Sequence, residues 1–281
     1  LTKKVSPFLK APVIPDHVDS LIIDETFYDE LWSSPYENGS KEIEIYNAYD
    51  GVVTITESDA QTIRMHTTGP SISCVSMACS AQHVNNSYDG LPLFVGSNNP
   101  LNIQGYVYFV RKVLPLVLEQ IPGFQLQAVG GFSRKVEAVQ GIELLGYVPD
   151  LKHLYTASRF TICPMLGGTG SQIKILESMA HGVPVIAMST VAKSSPIEHG
   201  INGFVANDAK EFAQYAIQLY SDHALCQKLG DAARLAIEEQ FSMEQAVEQW
   251  KSAIAKAQKQ SDEPASPLAI SRKTHSLEKV T

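Results

Sequence analysis

The sequence predicts an α/β protein built on a doubly wound parallel sheet. Three observations carry that expectation. From residue 91 onward, short apolar runs alternate with longer helical patterns, the sign of strands crossed over by helices. Ile103, Val107, Val110, Leu114, Val117 and Ile121 recur at spacings of three and four and make one apolar helix stripe. Glycines close successive runs at Gly96, Gly130, Gly146 and Gly167 to Gly170. Those are the carboxyl ends of the strands, outside which such sheets bind ligands.

The elements follow in order. Glu42 to Tyr49 reads as a helix, Gly51 to Thr56 as a β-branched strand, Glu57 to Met65 as a helix and Ser71 to Cys79 as a strand. Asn85 to Gly90 is a turn-rich linker. Leu91 to Val95 opens the second part, and Pro100 starts a helix where its missing N–H does no harm. Pro115 inside the apolar stripe should kink that helix. Strands at Phe124 to Val129, Ile142 to Leu145, Phe160 to Met165, Pro184 to Met188 and Gly203 to Val205 alternate with helices near Leu151 to Ala157 and Ser171 to His181. Helices fill Lys210 to Tyr220 and Ala224 to Glu239. Ser242 with Gln245 is a capping box that starts a last helix through Trp250. The expected organisation is a partial first domain at 1–90, a complete domain at 91–258 and a disordered polar tail at 259–281.

Composition narrows the function. The 281 residues are 44% hydrophobic and 19% charged, ordinary for a globular protein. A net charge of −8 gives no broad attraction to nucleic acid. Cys74, Cys79, Cys163 and Cys226 form no CxxC pair and match no zinc spacing, and their sparseness fits a reducing, cytoplasmic compartment. The eight histidines show no metal spacing. No apolar stretch reaches the roughly 18 residues of a membrane span. The sequence begins at Leu1, not Met, so a fragment, a processed product or a trimmed chain is expected. A peripheral membrane contact would belong to the region upstream.

The chemistry concentrates at Pro164 to Glu177, where a strand runs through Gly167-Gly168-Thr169-Gly170-Ser171 into a helix. Free N–H groups at a helix start bind phosphate oxygens, and glycines let a ligand approach the backbone. Lys174 adds a point charge. Glu177, one or two turns in, can accept two hydroxyl hydrogen bonds, which suits a ribose diol. The plainer readings are a simple tight turn and a solvated Lys174–Glu177 surface pair. No Walker loop, dinucleotide fingerprint or Gly-x-Ser-x-Gly elbow occurs, which sets aside P-loop NTPases, NAD-dependent oxidoreductases and serine hydrolases of that type.

The run from Gly167 to Val185 resembles the donor-site motif of glycosyltransferase family 4 and its relatives. Phe94-Val95-Gly96-Ser97 resembles the first strand and loop of their donor domain, and Leu126 to Gly130 the next strand. Leu145 to Leu151 resembles the base-binding segment, and Gly200 to Val205 the turn near the domain's end. The resemblance covers residues 91–258. It implies a GT-B fold of two Rossmann-like domains facing a cleft. It also implies a nucleotide diphosphate sugar as co-substrate, no essential metal or other cofactor, and retention at the anomeric carbon. By the same resemblance Gly168, Thr169, Gly170 and Ser171 hold the diphosphate with Lys174, and Glu177 holds the ribose. Gly146, Tyr147 and Val148 edge the base, with Gly96, Ser97 and Gly130 completing the donor site. Many members carry two glutamates seven residues apart. Glu177 matches the second, but Thr169 stands at the first, as in a subset of relatives with a lysine three before the glutamate.

Residues 1–90 resemble the end of the acceptor domain, and Val13 to His17 resembles the strand whose histidine faces the cleft. His17 is the third catalytic candidate beside Lys174 and Glu177, an ordinary loop histidine being its plainer reading. The expected activity is transfer of a sugar to a carbohydrate, lipid-linked or other acceptor. The rival expectation is a non-catalytic relative that binds a nucleotide or partner only.

Overall fold

The computed structural model describes residues 43–167 and 173–262, with side chains described to residue 260. His17 and the turn residues Gly168, Thr169, Gly170 and Ser171 lie outside the described residues. Two parallel sheets are present among the described residues. The smaller joins β1 (Gly51–Thr54) to β2 (Ser71–Cys74) through helix α1 (Glu57–His66). The larger has six strands: β3 (Leu93–Val95), β4 (Leu126–Val129), β5 (Ile142–Gly146), β6 (Thr161–Cys163), β7 (Val185–Met188) and β8 (Gly203–Ala206).

Their spatial order is β5-β4-β3-β6-β7-β8, all parallel. This is the doubly wound order of a Rossmann-type sheet. The chain winds outward from β3 in one direction, then returns to start again at β6 in the other. The switch point of the winding, outside which such sheets bind ligands, therefore falls at the carboxyl ends of β3 and β6.

The helices cover both faces. On one, Phe94, Ala128, Ile162 and Ile186 join a core with Phe109, Val113, Phe212 and Leu229. On the other, Leu93, Val129, Tyr155 and Val183 make a smaller cluster. After β3, α2 (Pro100–Tyr108) passes through one π turn, Phe109–Val113, into α3 (Leu114–Gln120). The π turn directly precedes Pro115. A proline ring and its missing N–H cannot continue an α ladder, and the wider turn absorbs the mismatch. The expected kink is thus a local change of helix type.

Helices α4 (Lys152–Ala157), α5 (Ile173–Ala180), the single-turn α6 (Ser189–Ala192), α7 (Ala209–Ser221) and α8 (His223–Gln240) complete this domain. The caps follow the sequence. Asp208 accepts from the backbone N–H groups of Lys210 and Glu211 at 2.8 and 2.9 Å, and Asp222 from Leu225 at 2.9 Å. Asp208→Ala should destabilise the protein by about 1 kcal/mol, measured as a shift of the urea midpoint. An unchanged midpoint would mean that packing alone fixes the start of α7.

The structure differs from the sequence reading in three places. The strand expected at Ser71 to Cys79 stops at Cys74. Beyond it the chain straps across to the larger domain, with Cys79 N–H donating to Phe241 O and Gln82 N–H to Ala180 O, both at 2.7 Å. The helix expected at Glu42 to Tyr49 is described only over residues 43–46 before it opens into a turn. The last helix, α9 (Met243–Asp262), does not end near Trp250 and runs into the segment expected to be a tail. Its capping box forms as expected, Gln245 N–H donating to Ser242 Oγ at 3.2 Å.

Helix α9 returns to the first domain and lies on β1 and β2. Small residues make the seat. Ala246 and Ala253 are buried, and a Cβ added to Gly51 would stand 2.8 Å from the Ala257 methyl. Gln249 Oε1 accepts from the Ser76 N–H at 2.8 Å. The large apolar residues Met243, Val247, Trp250 and Ile254 are exposed instead.

Candidate active site

The carboxyl ends of β3, β4 and β5 are joined at the glycines. Gly96 N–H donates to Val129 O at 2.9 Å, and Gly130 N–H to Gly146 O at 2.7 Å. Gly130 has φ of 121° and ψ of 179°, a conformation that suits glycine alone. A Cβ there would stand 1.9 Å from the Gly96 carbonyl oxygen. Gly130 is therefore demanded by the sheet itself, whatever it contributes to a ligand. Gly146 also has positive φ, 72°, but with nothing near a Cβ position. Tyr147 beyond it is exposed, and Val148 packs beside Leu151 and Tyr155.

The loop after β3 is held by two asparagines. Asn99 Oδ1 accepts from Leu101 N–H at 2.8 Å and caps α2. Asn102, on the first turn, is buried and sends its Nδ2 to both the carbonyl oxygen and the Oγ of Ser97 at 3.1 Å each. Its Oδ1 accepts from Lys174 Nζ. Lys174 thus reaches from the start of α5 across the switch point to the loop after β3. Its ammonium lies 3.1 Å from Met165 Sδ and 5.7 Å from the centre of the Phe94 ring. Burial lowers its pKa below the usual lysine value, since a desolvated ammonium favours its neutral form. No carboxylate forms an ion pair with it among the described residues.

Glu177 lies one turn further along α5. Its Oε2 accepts from Tyr155 Oη at 3.2 Å. Burial first, and the Glu177 charge second, hold the Tyr155 hydroxyl protonated well above its usual range. The Tyr155 ring stacks on His181 with centroids 4.9 Å apart, and His181 Nδ1 lies 2.8 Å from Glu177 O. Lys174 and Glu177 turn to separate partners, so they are not a surface pair.

The structure therefore brings together Gly96, Ser97, Gly130, Gly146, Lys174 and Glu177 along one end of the sheet. Two residues with roles there were missed. Asn102 lies in the helix expected after Pro100, and Tyr155 in the short helix expected near Leu151 to Ala157, neither with a role of its own. Neither belongs to a motif, and Asn102 lies beside the apolar stripe, where sequence alone gives no sign of its burial. An open groove of ≈540 Å³ on the flank of α4, lined by Val84, Asn85, Asp150 and His153 among others, contains none of the expected site residues.

A six-stranded parallel sheet in this winding order, with a lysine and a glutamate on the helix that opens at its switch point, is a Rossmann-like domain of the kind found in GT-B folds. Residues 91–222 match the model of the family described as glycosyl transferases group 1. It is 30% identical over 138 residues to an uncharacterized 44.6 kDa protein in the cps region of Klebsiella pneumoniae, covering 44% of this chain and 36% of that one. It is 37% identical over 79 residues to N-acetyl-alpha-D-glucosaminyl L-malate synthase of Bacillus anthracis, covering 27% of this chain and 21% of the enzyme. The fold is similar to that of TarM from S. aureus, with a TM-score of 0.66 at 18% identity, over 77% of this chain and 46% of TarM. The chain spans 36% or less of the length of these curated relatives. No helix among the described residues is long and apolar enough to cross a membrane.

Proposed function

We propose that the chain supplies the donor site of a cytoplasmic glycosyltransferase that moves a sugar from a nucleotide diphosphate sugar, with retention and without a metal ion. The observation that carries this reading is the Lys174 ammonium. It is drawn out of water at the switch point with no carboxylate partner among the described residues. Burying a cation without a counter-charge is costly, and a diphosphate would supply the missing charge. The leaving diphosphate gains negative charge as the glycosidic bond breaks. A preorganised cation and helix-start N–H groups then stabilise the transition state more than the ground state. Gly168, Thr169, Gly170 and Ser171 are the residues proposed to give those N–H groups, with Glu177 on the ribose. Among structures of similar fold, one of a TarM mutant is in complex with UDP.

The acceptor is a carbohydrate, a lipid-linked sugar or another nucleophile recognised chiefly outside residues 91–258. His17 is proposed to serve it from the first domain.

Calorimetric titration with UDP and GDP in the presence of EDTA should show binding of at least one of them. Absence of binding, or binding only with a divalent ion, would overturn the metal-free donor site. The alternative reading, nucleotide binding without transfer, draws on Thr169 standing where many relatives have glutamate. Hydrolysis or transfer of a bound nucleotide sugar separates the two.

A further inference from the structure

We propose that Asn102 is a positioning residue: it holds the Lys174 ammonium at the switch point, ties it to the loop after β3, and so tunes the site for a diphosphate over a monophosphate. The inference rests on the donor-site reading above.

The orientation of Asn102 is fixed by its neighbours. Its Nδ2 has two acceptors on one residue, the carbonyl oxygen and Oγ of Ser97. Its Oδ1 faces Lys174, which can only donate. Flipping the amide would oppose donor to donor and acceptor to acceptor, so one arrangement satisfies the whole set. The side chain is 5% exposed, and water cannot readily replace it.

The other groups around the ammonium are soft. Met165 Sδ and the face of Phe94 offer weak attraction, and Asn102 Oδ1, a neutral acceptor, takes the strong hydrogen bond from the ammonium. The titratable group facing Lys174 from β6 is Cys163, whose thiol burial pushes up and keeps neutral. On its own helix the nearest charge is Glu177, which bonds to Tyr155. A neutral amide therefore aims the cation without cancelling its charge. A carboxylate in the same place would hold the cation more tightly and repel the ligand. The choice of asparagine leaves the charge to a second phosphate, which carries the ligand's added negative charge.

Two readouts on the full chain test this. The first needs no ligand. With lysine labelled at Cε, the NMR titration of Lys174 should move down in pH in Asn102→Ala and up in Asn102→Asp, relative to the unsubstituted protein. The second is calorimetry with UDP and UMP. Asn102→Ala should weaken UDP by about tenfold and UMP by far less, and Asn102→Asp should weaken UDP at least as much. Lys174→Met should remove that loss, so that Asn102→Ala adds nothing in its background. If UDP binds the unsubstituted protein but the Lys174 titration is unchanged in both Asn102 variants, the positioning role is wrong. Equal loss for UDP in the Lys174→Met background would show a merely structural asparagine. If the titration shifts as stated and neither nucleotide binds, Asn102 holds Lys174 but the donor reading fails, and with it the diphosphate preference. Asn102→Asp matches the native side chain in shape and keeps the test open should Asn102→Ala unfold.

Discussion

Gly130→Ala is expected to unfold the protein or remove more than about 4 kcal/mol of its stability. Two costs fall together. The backbone there, φ 121° and ψ 179°, is one that an alanine rarely adopts. The new methyl would also stand 1.9 Å from the Gly96 carbonyl oxygen, which cannot withdraw because Gly96 is bonded to β4. Against a total stability of about 5–15 kcal/mol, such a loss is decisive. Gly146→Ala is the control. It shares a positive φ but meets open space, so about 1–2 kcal/mol is expected. Urea unfolding of the two variants decides the matter. Similar midpoints would mean that the sheet can spread at β3 and β4 and that Gly130 serves the ligand alone.

Lys174→Met should separate stability from binding. In the ligand-free protein burial lowers the lysine pKa below its unfolded value of 10.5. Between the lowered folded pKa and 10.5 the unfolded chain holds the extra proton. Stability therefore rises with pH across that window, and the cost of the buried charge is fully present below it. Lys174→Met abolishes the rise and gives a firmer protein at neutral pH. The same change should weaken a nucleoside diphosphate by about 1.5–3 kcal/mol, the value of a charge-assisted hydrogen bond. Thermal unfolding over alkaline pH and calorimetry at neutral pH measure the two effects. A variant that is less stable at neutral pH and binds UDP unchanged would show that Lys174 is a packing residue.

Much of the larger domain was legible because its strands are short apolar runs closed by glycine. β3, β4, β6 and β7 lie inside the segments expected for them, β5 runs one residue further to Gly146, and the winding order follows from strands that alternate with helices. The site was legible where a motif carried it, at Lys174 and Glu177. It was illegible where only three dimensions reveal a role. Asn102 and Tyr155 come from separate elements and meet their partners 72 and 22 residues away. Gly130 read as a ligand glycine because nothing in one dimension places the Gly96 carbonyl against it. The length of α9 was missed for a different reason. Its buried side is made of alanines, which leave no hydrophobic stripe, while its large apolar residues point outward and suggest the wrong face.

The seat of α9 also sets an order in time. Gln249 bonds to Ser76 across 173 residues of chain, and the alanines that cover β1 and β2 follow the whole six-stranded domain in sequence. A chain emerging from the ribosome makes this small sheet early and its cover late. The intervening six-stranded domain can close by itself in the meantime, since its neighbouring strands are near in sequence. The two-stranded sheet must wait, with one face open to whatever binds nascent chains, until α9 arrives to close it.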